Sequence, residues 1–308
     1  MKKILFIAVA VVGMFTATSC QKEKALTSGE ANVNLTVELP DAIQTKAIAQ
    51  AETVDVVYYE IWNADWTKQL YPVNNETLAS AVVTDKTATI DLVLILDQTY
   101  NFIFWAQDAD CGAYDVSELK NVKIDYSVMA QKGNEDIFDA FYAVEAIEVT
   151  GSSVNKTVTL KRPFAQLNLG ASEMTSSFGA IEIGTTAVKV SGLAKVFDTL
   201  NGVGTTEADP VTFSATGLAT TDKLVAGGNE YAWITMDYMC MMGESSTVEV
   251  TAGIQVSGIG TVSHSISAVP VKKNFRTNIV GDLFTSNAKL DVIVDPAFEE
   301  EDENIIVD

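Results

Sequence analysis

Asn32-Val33-Asn34-Leu35-Thr36-Val37-Glu38-Leu39 carries an apolar side chain at every second position. On an extended chain successive side chains point to opposite faces, so this stretch has a dry face of Val33, Leu35, Val37 and Leu39 and a wet face between them. A helix would scatter both sets around its surface. Outward from this stretch, alternation or an apolar run of strand length recurs at 54–59, 87–96, 100–105, 154–160, 187–190, 247–256, 261–269 and 290–294. Asn74-Asn75, Asn201-Gly202 and Gly227-Gly228-Asn229 punctuate these runs as turns. Helical spacing is weak and is best over 115–119 and 193–200. Many short strands at near-regular intervals predict an all-β chain, and 308 residues suffice for two tandem antiparallel β-sandwich domains.

Met1-Lys2-Lys3, the apolar run from Ile4 to Phe15 and the small residues up to Ser19 read as an export signal over residues 1–20. Ala17-Thr18-Ser19-Cys20 resembles a bacterial lipobox, with Ala17 where Leu is usual; there the Cys20 thiol takes a diacylglycerol before cleavage. The alternative is a structural cysteine behind a soluble-export signal. The apolar run is too short to span a bilayer, so lipid rather than a helix would anchor the chain. Residues 21–46 then carry the first strand. The stretch 40–51 is small and polar with one basic residue, Lys46, the composition of an exposed linker where a protease acts. Pro163 in Lys161-Arg162-Pro163 lacks an amide donor and interrupts a ladder, which divides an N-terminal sandwich, 47–161, from a C-terminal one, 162–298. Glu299-Glu300-Glu301-Asp302-Glu303 makes 299–308 an acidic, solvated tail.

A formal net charge of −21 argues against nucleic acid and against electrostatic docking on anionic lipid, both of which need clustered Lys and Arg. Cys111 and Cys240 lie in different halves without a C-x-x-C spacing, so two buried free thiols are expected. His264, the single histidine, shares a face with Val262, Ile266 and Ala268 and reads as a structural imidazole. One histidine and no cysteine pair leave no zinc site. No G-x-S-x-G, P-loop or G-x-G-x-x-G follows a strand. Asp108, Asp110 and Asp115 could gather oxygen ligands for calcium, but the EF-hand spacing and its closing Glu are missing, which favours a solvated loop. A carboxylate pair at glycosidase spacing arises by chance on so acidic a surface. The chain is therefore read as having no catalytic residue, metal or cofactor. Trp62, Trp66 and Tyr71 share the turn-rich stretch 61–72 and either stack on a sugar face or pack in the core.

In order along the chain, five features together resemble the fimbrillins, the type V pilins of anaerobic oral and gut bacteria. They are the lipobox, the early strand, the basic residue of Thr45-Lys46-Ala47, Leu160-Lys161-Arg162-Pro163-Phe164-Ala165-Gln166-Leu167, and Asn274-Phe275-Arg276-Thr277-Asn278-Ile279. The resemblance implies two transthyretin-like β-sandwiches and export as an outer-membrane lipoprotein acylated at Cys20. It implies that residues 21–46 are an N-terminal propeptide, removed with the first strand by a trypsin-like protease, here between Lys46 and Ala47, although the family is cut chiefly after Arg. The groove once filled by Val33, Leu35, Val37 and Leu39 then receives a strand from a neighbouring subunit. The implied role is structural and adhesive, at the cell surface or in a fimbrium. Implied partners are other fimbrial subunits in a homo- or heteropolymer, the membrane through its lipid before cleavage, and a host or bacterial surface receptor.

Lys289-Leu290-Asp291-Val292-Ile293-Val294-Asp295 alternates and lies where the family keeps its donor strand, presenting Leu290, Val292 and Val294. The same run reads equally as a strand that closes its own sheet. Asn304-Ile305-Ile306-Val307 is a shorter donor candidate, or a frayed end. Two rival readings stand beside fimbrial assembly: an uncleaved, lipid-held anchor or accessory protein, and a surface lipoprotein that binds glycans.

Overall fold

The computed structural model describes residues 29–40, 51–72, 78–173, 182–217, 223–285 and 288–295. The export signal, Cys20, Lys46, Ala47, the acidic tail and Asn304 to Val307 lie outside the described residues. The described chain is predominantly β. Its strands are β1 (Glu30–Glu38), β2 (Val56–Asn63), β3 (Gln69–Tyr71), β4 (Ala79–Val82), β5 (Thr87–Ile95), β6 (Gln98–Gln107), β7 (Tyr114–Asp115), β8 (Asn121–Ile124), β9 (Ala140–Val149) and β10 (Ser153–Thr159). After the link at Pro163 come β11 (Ala165–Ala171), β12 (Ile183–Ser191), β13 (Ala194–Asp198), β14 (Val203–Glu207), β15 (Val211–Thr216), β16 (Lys223–Ala226), β17 (Asn229–Met239), β18 (Ser245–Val256), β19 (Gly260–Lys272), β20 (Arg276–Gly281) and β21 (Leu290–Asp295). A single helical turn, α1 (Tyr126–Met129), is capped by the Asp125 side chain, which accepts from the Ser127 N–H at 2.9 Å. A 3-10 turn at Asp136–Phe138 follows it.

The strands form five sheets. The sheet β10-β1-β5 and the sheet β3-β2-β6-β9, with β4 added on β2, share one core. In it Leu35, Ile90 and Val158 from the first sheet meet Ile61, Phe102, Phe104 and Phe141 from the second. The sheets β16-β17-β11-β20-β21 and β15-β12-β18-β19 share a second core. The fifth sheet, β14-β13-β8-β7, also contributes to that second core and crosses the Pro163 link, because β8 pairs with β13 through Phe197 opposite Val122. Facing sheets with side chains interleaved between them are a β-sandwich type of fold.

β6 explains this layout. Phe102 and Phe104 enter the first core, Ile103 and Trp105 enter the second, and all four are fully buried. β9 divides in the same way, with Phe141 and Ala143 on one side and Ala140 and Tyr142 on the other. A strand covered on both faces needs a continuous apolar run rather than alternation, and Phe102-Ile103-Phe104-Trp105-Ala106 is such a run. Trp105 packs edge-on against Tyr114 at 5.5 Å and Phe164 at 6.1 Å between ring centroids. Beside this wall Arg162 grips Asp139 in a bidentate pair, with Nε to Oδ1 and Nη2 to Oδ2 both at 2.7 Å. Burial opposes the guanidinium's charge and the Asp139 carboxylate outweighs it, so Arg162 titrates above its ordinary value.

The two stretches with weak helical spacing are not helices: 193–200 holds β13 and the start of the turn after it, and 115–119 ends β7 and then bends. Leu193 and Phe197 stand four residues apart, the spacing of a helical face, but β8 and β14 supply ladder partners on both sides of β13 and the sheet wins. Cys111 and Cys240 are free and buried as expected. Burial pushes the Cys240 thiol up to about 12, against the pull of Lys273, so it is a poor nucleophile.

Because Phe104 and Trp105 are neighbours on one strand but fill opposite cores, Phe104→Ala and Trp105→Ala should each cost about 3–5 kcal/mol of unfolding free energy. Urea denaturation measures both. A near-neutral result for either variant would mean that β6 is not a wall shared by two cores.

Candidate functional site

β1 is the middle strand of its sheet, antiparallel to β5 on one side and parallel to β10 on the other. Leu35 lies opposite Ile90 of β5 and Lys156 of β10, and Val37 lies opposite Ala88 and Val158. The pairing extends past the strand ends. Asn32 N–H donates to Ser152 O at 2.9 Å, Leu39 N–H donates to Lys86 O at 2.9 Å, and Leu160 N–H donates to Glu38 O at 2.8 Å. Both edges of β1 are therefore committed.

The side chains sort as the alternation requires. Val33 and Leu35 are 0% exposed, Val37 is 1% and Leu39 is 5%, while Asn34, Thr36 and Glu38 stay half-buried on the outer face. Asn34 Nδ2 donates to Asn155 Oδ1 at 3.0 Å across that outer face. Ala31, also 0% exposed, extends the dry row by one position. Alanine is too weak an apolar signal to have been counted at the start of an alternating run. Opposite the row, Phe102 and Phe104 stack at 5.7 Å with 4° between their planes.

Taking β1 away would bare two rows of backbone donors and acceptors at once and open an apolar trench over Phe102 and Phe104. Four large side chains at about 1.5–3 kcal/mol each give roughly 6–12 kcal/mol of burial at stake before ordering costs. Strand addition to sheet edges uses backbone rows and side-chain pockets of this kind.

The other sequence-derived candidates are placed apart from this slot. β21 pairs antiparallel with β20 at the edge of its own sheet, with Val292 opposite Ile279 and Val294 opposite Thr277. Leu290, Val292 and Ile293 pack against the second core, so within one chain β21 closes its own sheet. Trp62 and Trp66 lie 6.4 Å apart, but Lys120 Nζ stands 3.3 Å over the Trp62 ring and donates to Trp66 O at 2.9 Å. The Trp62 indole N–H donates to Glu60 at 2.8 Å, and Tyr71 packs with Tyr59. A ring face covered by an ammonium is not open to a sugar.

Two of the three aspartates, Asp108 and Asp115, are held by local partners. Asp108 Oδ1 accepts the Asp110 N–H at 2.8 Å, and Asp115 accepts from Ser117 N–H and from Lys123 Nζ, both at 3.1 Å. Bonds from Ser117, with Lys123 behind them, pull Asp115 down to about 2. Among the described residues no cluster of three or more His, Cys, Asp or Glu could hold a metal. His264 is buried, with Nε2 2.8 Å from Leu283 O. Ala268 leaves its face, because the register slips opposite Val248 and Val250 and Ala268 takes a φ of 54°.

A family model described as a family of unknown function (DUF6562) matches residues 24–308. No match is found among curated proteins. Among solved structures, a candidate cell adhesion protein from Bacteroides ovatus is similar, at 12% identity and a TM-score of 0.52, over 90% of this chain and 98% of that one. A candidate cell adhesion protein from Bacteroides uniformis is similar at 14% identity and a TM-score of 0.51, over 89% and 100%. A candidate adhesin from Bacteroides thetaiotaomicron follows at 10% and 0.51, over 89% and 98%. At such identities the likeness is one of fold.

The two faces of β1 should answer differently to truncation. Leu35→Ala should lose about 2–5 kcal/mol and Thr36→Ala about 1 kcal/mol or less, read by urea denaturation of the intact chain. Equal losses at the two positions would contradict the sorting of β1 into a dry and a wet face.

Proposed function

The chain belongs to the DUF6562 family of unknown function, and on that premise we propose that it is a non-catalytic cell-surface protein, a structural and adhesive subunit of the fimbrillin type. In this reading it assembles by exchange of β1 after trimming near Lys46. The observation that carries the reading is the position of β1: it is a middle strand, dry on one face, and the segment with Lys46 joins it to the rest of the chain. The shared fold with the adhesion proteins of three Bacteroides species supports a surface role.

The order of events follows from connectivity. Acylation at Cys20 ties the N-terminus to the outer membrane. A cut between Lys46 and Ala47 severs both the lipid and β1 from the rest in one step, which frees the subunit and opens its slot. A neighbour's strand then replaces Ala31, Val33, Leu35, Val37 and Leu39 over the stacked phenylalanines. The donor is the run Leu290, Val292 and Val294 or the shorter 304–307, and β21 would first have to leave β20. The division into two sandwich units at 161–162 belongs to the same reading, as do partner subunits and a surface receptor. If Lys46 is never cut, the same chain remains a lipid-held anchor. The Lys120 ammonium over Trp62 counts against glycan binding at the aromatic stretch.

The experiment is limited trypsin digestion of the chain from Gln21, followed by light scattering with and without a peptide spanning 289–295. Cleavage after Lys46 should precede most other cuts, and the nicked protein should oligomerise or take up the peptide. A protein that sheds 21–46, stays monomeric at high concentration and binds no donor peptide would overturn strand exchange. Mass spectrometry of the native N-terminus separates the arms, since free Ala47 marks a polymerised subunit and acylated Cys20 an anchor.

A further inference from the structure

The loop 130–135 follows α1 and precedes the Pro163 link, yet it is tied to strands from beyond that link. Asn134, at a φ of 69°, donates its N–H to Met236 O at 3.0 Å and accepts the Met236 N–H on Oδ1 at 2.8 Å. Its Nδ2 donates to Thr216 O at 2.8 Å, and Ala130 O accepts from Ser214 N–H at 2.9 Å. One asparagine thus spans the end of β15 and the middle of β17. Under the loop lies Asp237, 4% exposed, between Met236 and Tyr238. Gly133 packs on it so closely that a Cβ there would stand 3.1 Å from Asp237 Oδ1 and 3.3 Å from Ala215 Cβ.

Among the described residues no cation pairs with Asp237. Its hollow is shared with Met129, Phe138 and Phe213. The loop brings Lys132 and Glu135 to the rim, β15 brings no charged residue, and β11 sets Leu167 opposite Asp237. Tyr238 lines the same hollow, and its hydroxyl donates to Asp136 Oδ1 at 3.0 Å. The phenol of Tyr126 on α1 is turned to Ala194 O at 3.0 Å. The contrast is Asp139, whose two oxygens are held by Arg162.

We propose that Asp237 and the Asn134 clasp form a proton-operated latch: with Asp237 protonated, loop 131–135 closes on β15 and β17, and with Asp237 ionised it loosens. Burial pushes this carboxyl up to about 7, opposed only by the Asn134 backbone N–H. When the loop lifts, water reaches the carboxyl and its ordinary value of 3.8 applies. Between those two values the closed form keeps a proton that the open form has lost. Closure is therefore firmest below about pH 4, weakens about tenfold per pH unit toward 7, and is level above that. The same segment runs on through Asp136 and Phe138 to Asp139, so a loosened loop acts on the Arg162 pair at the boundary of the two cores.

Hydrogen exchange on the full chain, corrected for intrinsic rates, tests the latch at the amides of Ser214, Asn134 and Met236. Protection in the wild type should fall about tenfold per unit between pH 5 and pH 7 and then level off, whereas Asp237→Asn should hold the closed-state protection across that range. Unchanging protection in the wild type, or the same fall in Asp237→Asn, overturns the latch. Should the variant fail to fold, the carbon-13 shift of the wild-type Asp237 carboxyl decides: a midpoint near 7 supports the latch and one in the ordinary carboxylate range overturns it.

Discussion

β6 has to be dry on both sides, and that requirement organises the layers around it. Phe102 and Phe104 call for a lid on one face, and Ile103 and Trp105 call for one on the other. The three-stranded sheet with β1 at its centre supplies the first lid. The second is a mixture of strands from both halves of the chain, with Tyr114 of β7 and Phe197 of β13 against Trp105. A wall shared by two cores couples them mechanically, because close-packed interiors pass on a shift of one side chain to its neighbours. Tyr142 illustrates this coupling: it belongs to the wall strand β9, it packs on Phe197 at 4.7 Å, and its hydroxyl lies 3.3 Å from Lys273 Nζ.

Two buried aspartates near this wall meet opposite fates. Asp139, immediately before β9, is 1% exposed and survives burial because a fork of two guanidinium hydrogen bonds matches its two oxygens. Removing either partner would strand a buried charge at a cost of about 3–5 kcal/mol. Among the described residues Asp237 has no such guanidinium fork, and burial pushes its carboxyl up to about 7. Similar depth with different company gives one fixed strut and one titratable group.

How much of this was legible depends on where water touches the chain. β1 could be read residue by residue because its outer face is wet, so apolar and polar positions alternate. β6 was visible as a strand, but its division between two cores was not, since a run with no polar position carries no face information. β9 escaped because Ala140, Ala143 and Ala146 recur every three residues while Glu145 and Glu148 interrupt the pattern. β17 escaped because Thr235 and Asp237 are polar at buried positions. The slot's walls were beyond reach for another reason. The parallel partner β10 lies more than a hundred residues from β1, as Asn34 and Asn155 show with a separation of 121, and no local pattern encodes such a pairing. β13 gave a weak helical signal because the four-residue spacing of Leu193 and Phe197 fits a helical face as well as one face of a short strand.

The mixed company of β1 also bears on direction. β5 runs antiparallel to it and β10 runs parallel. A strand lying in the slot either way round would therefore find one parallel and one antiparallel neighbour, and the backbone alone would be nearly indifferent to its polarity. Direction must then be read from side chains. The row begins with Ala31, passes through Val33, Leu35 and Val37, and ends at Leu39, so the trench is narrow at one end and roomy at the other. An inverted strand would push a large group into the alanine site and leave a void at the leucine site, and both faults are costly in a packed core. A taper of a few methylene groups is thus enough to favour one direction for a strand in this position.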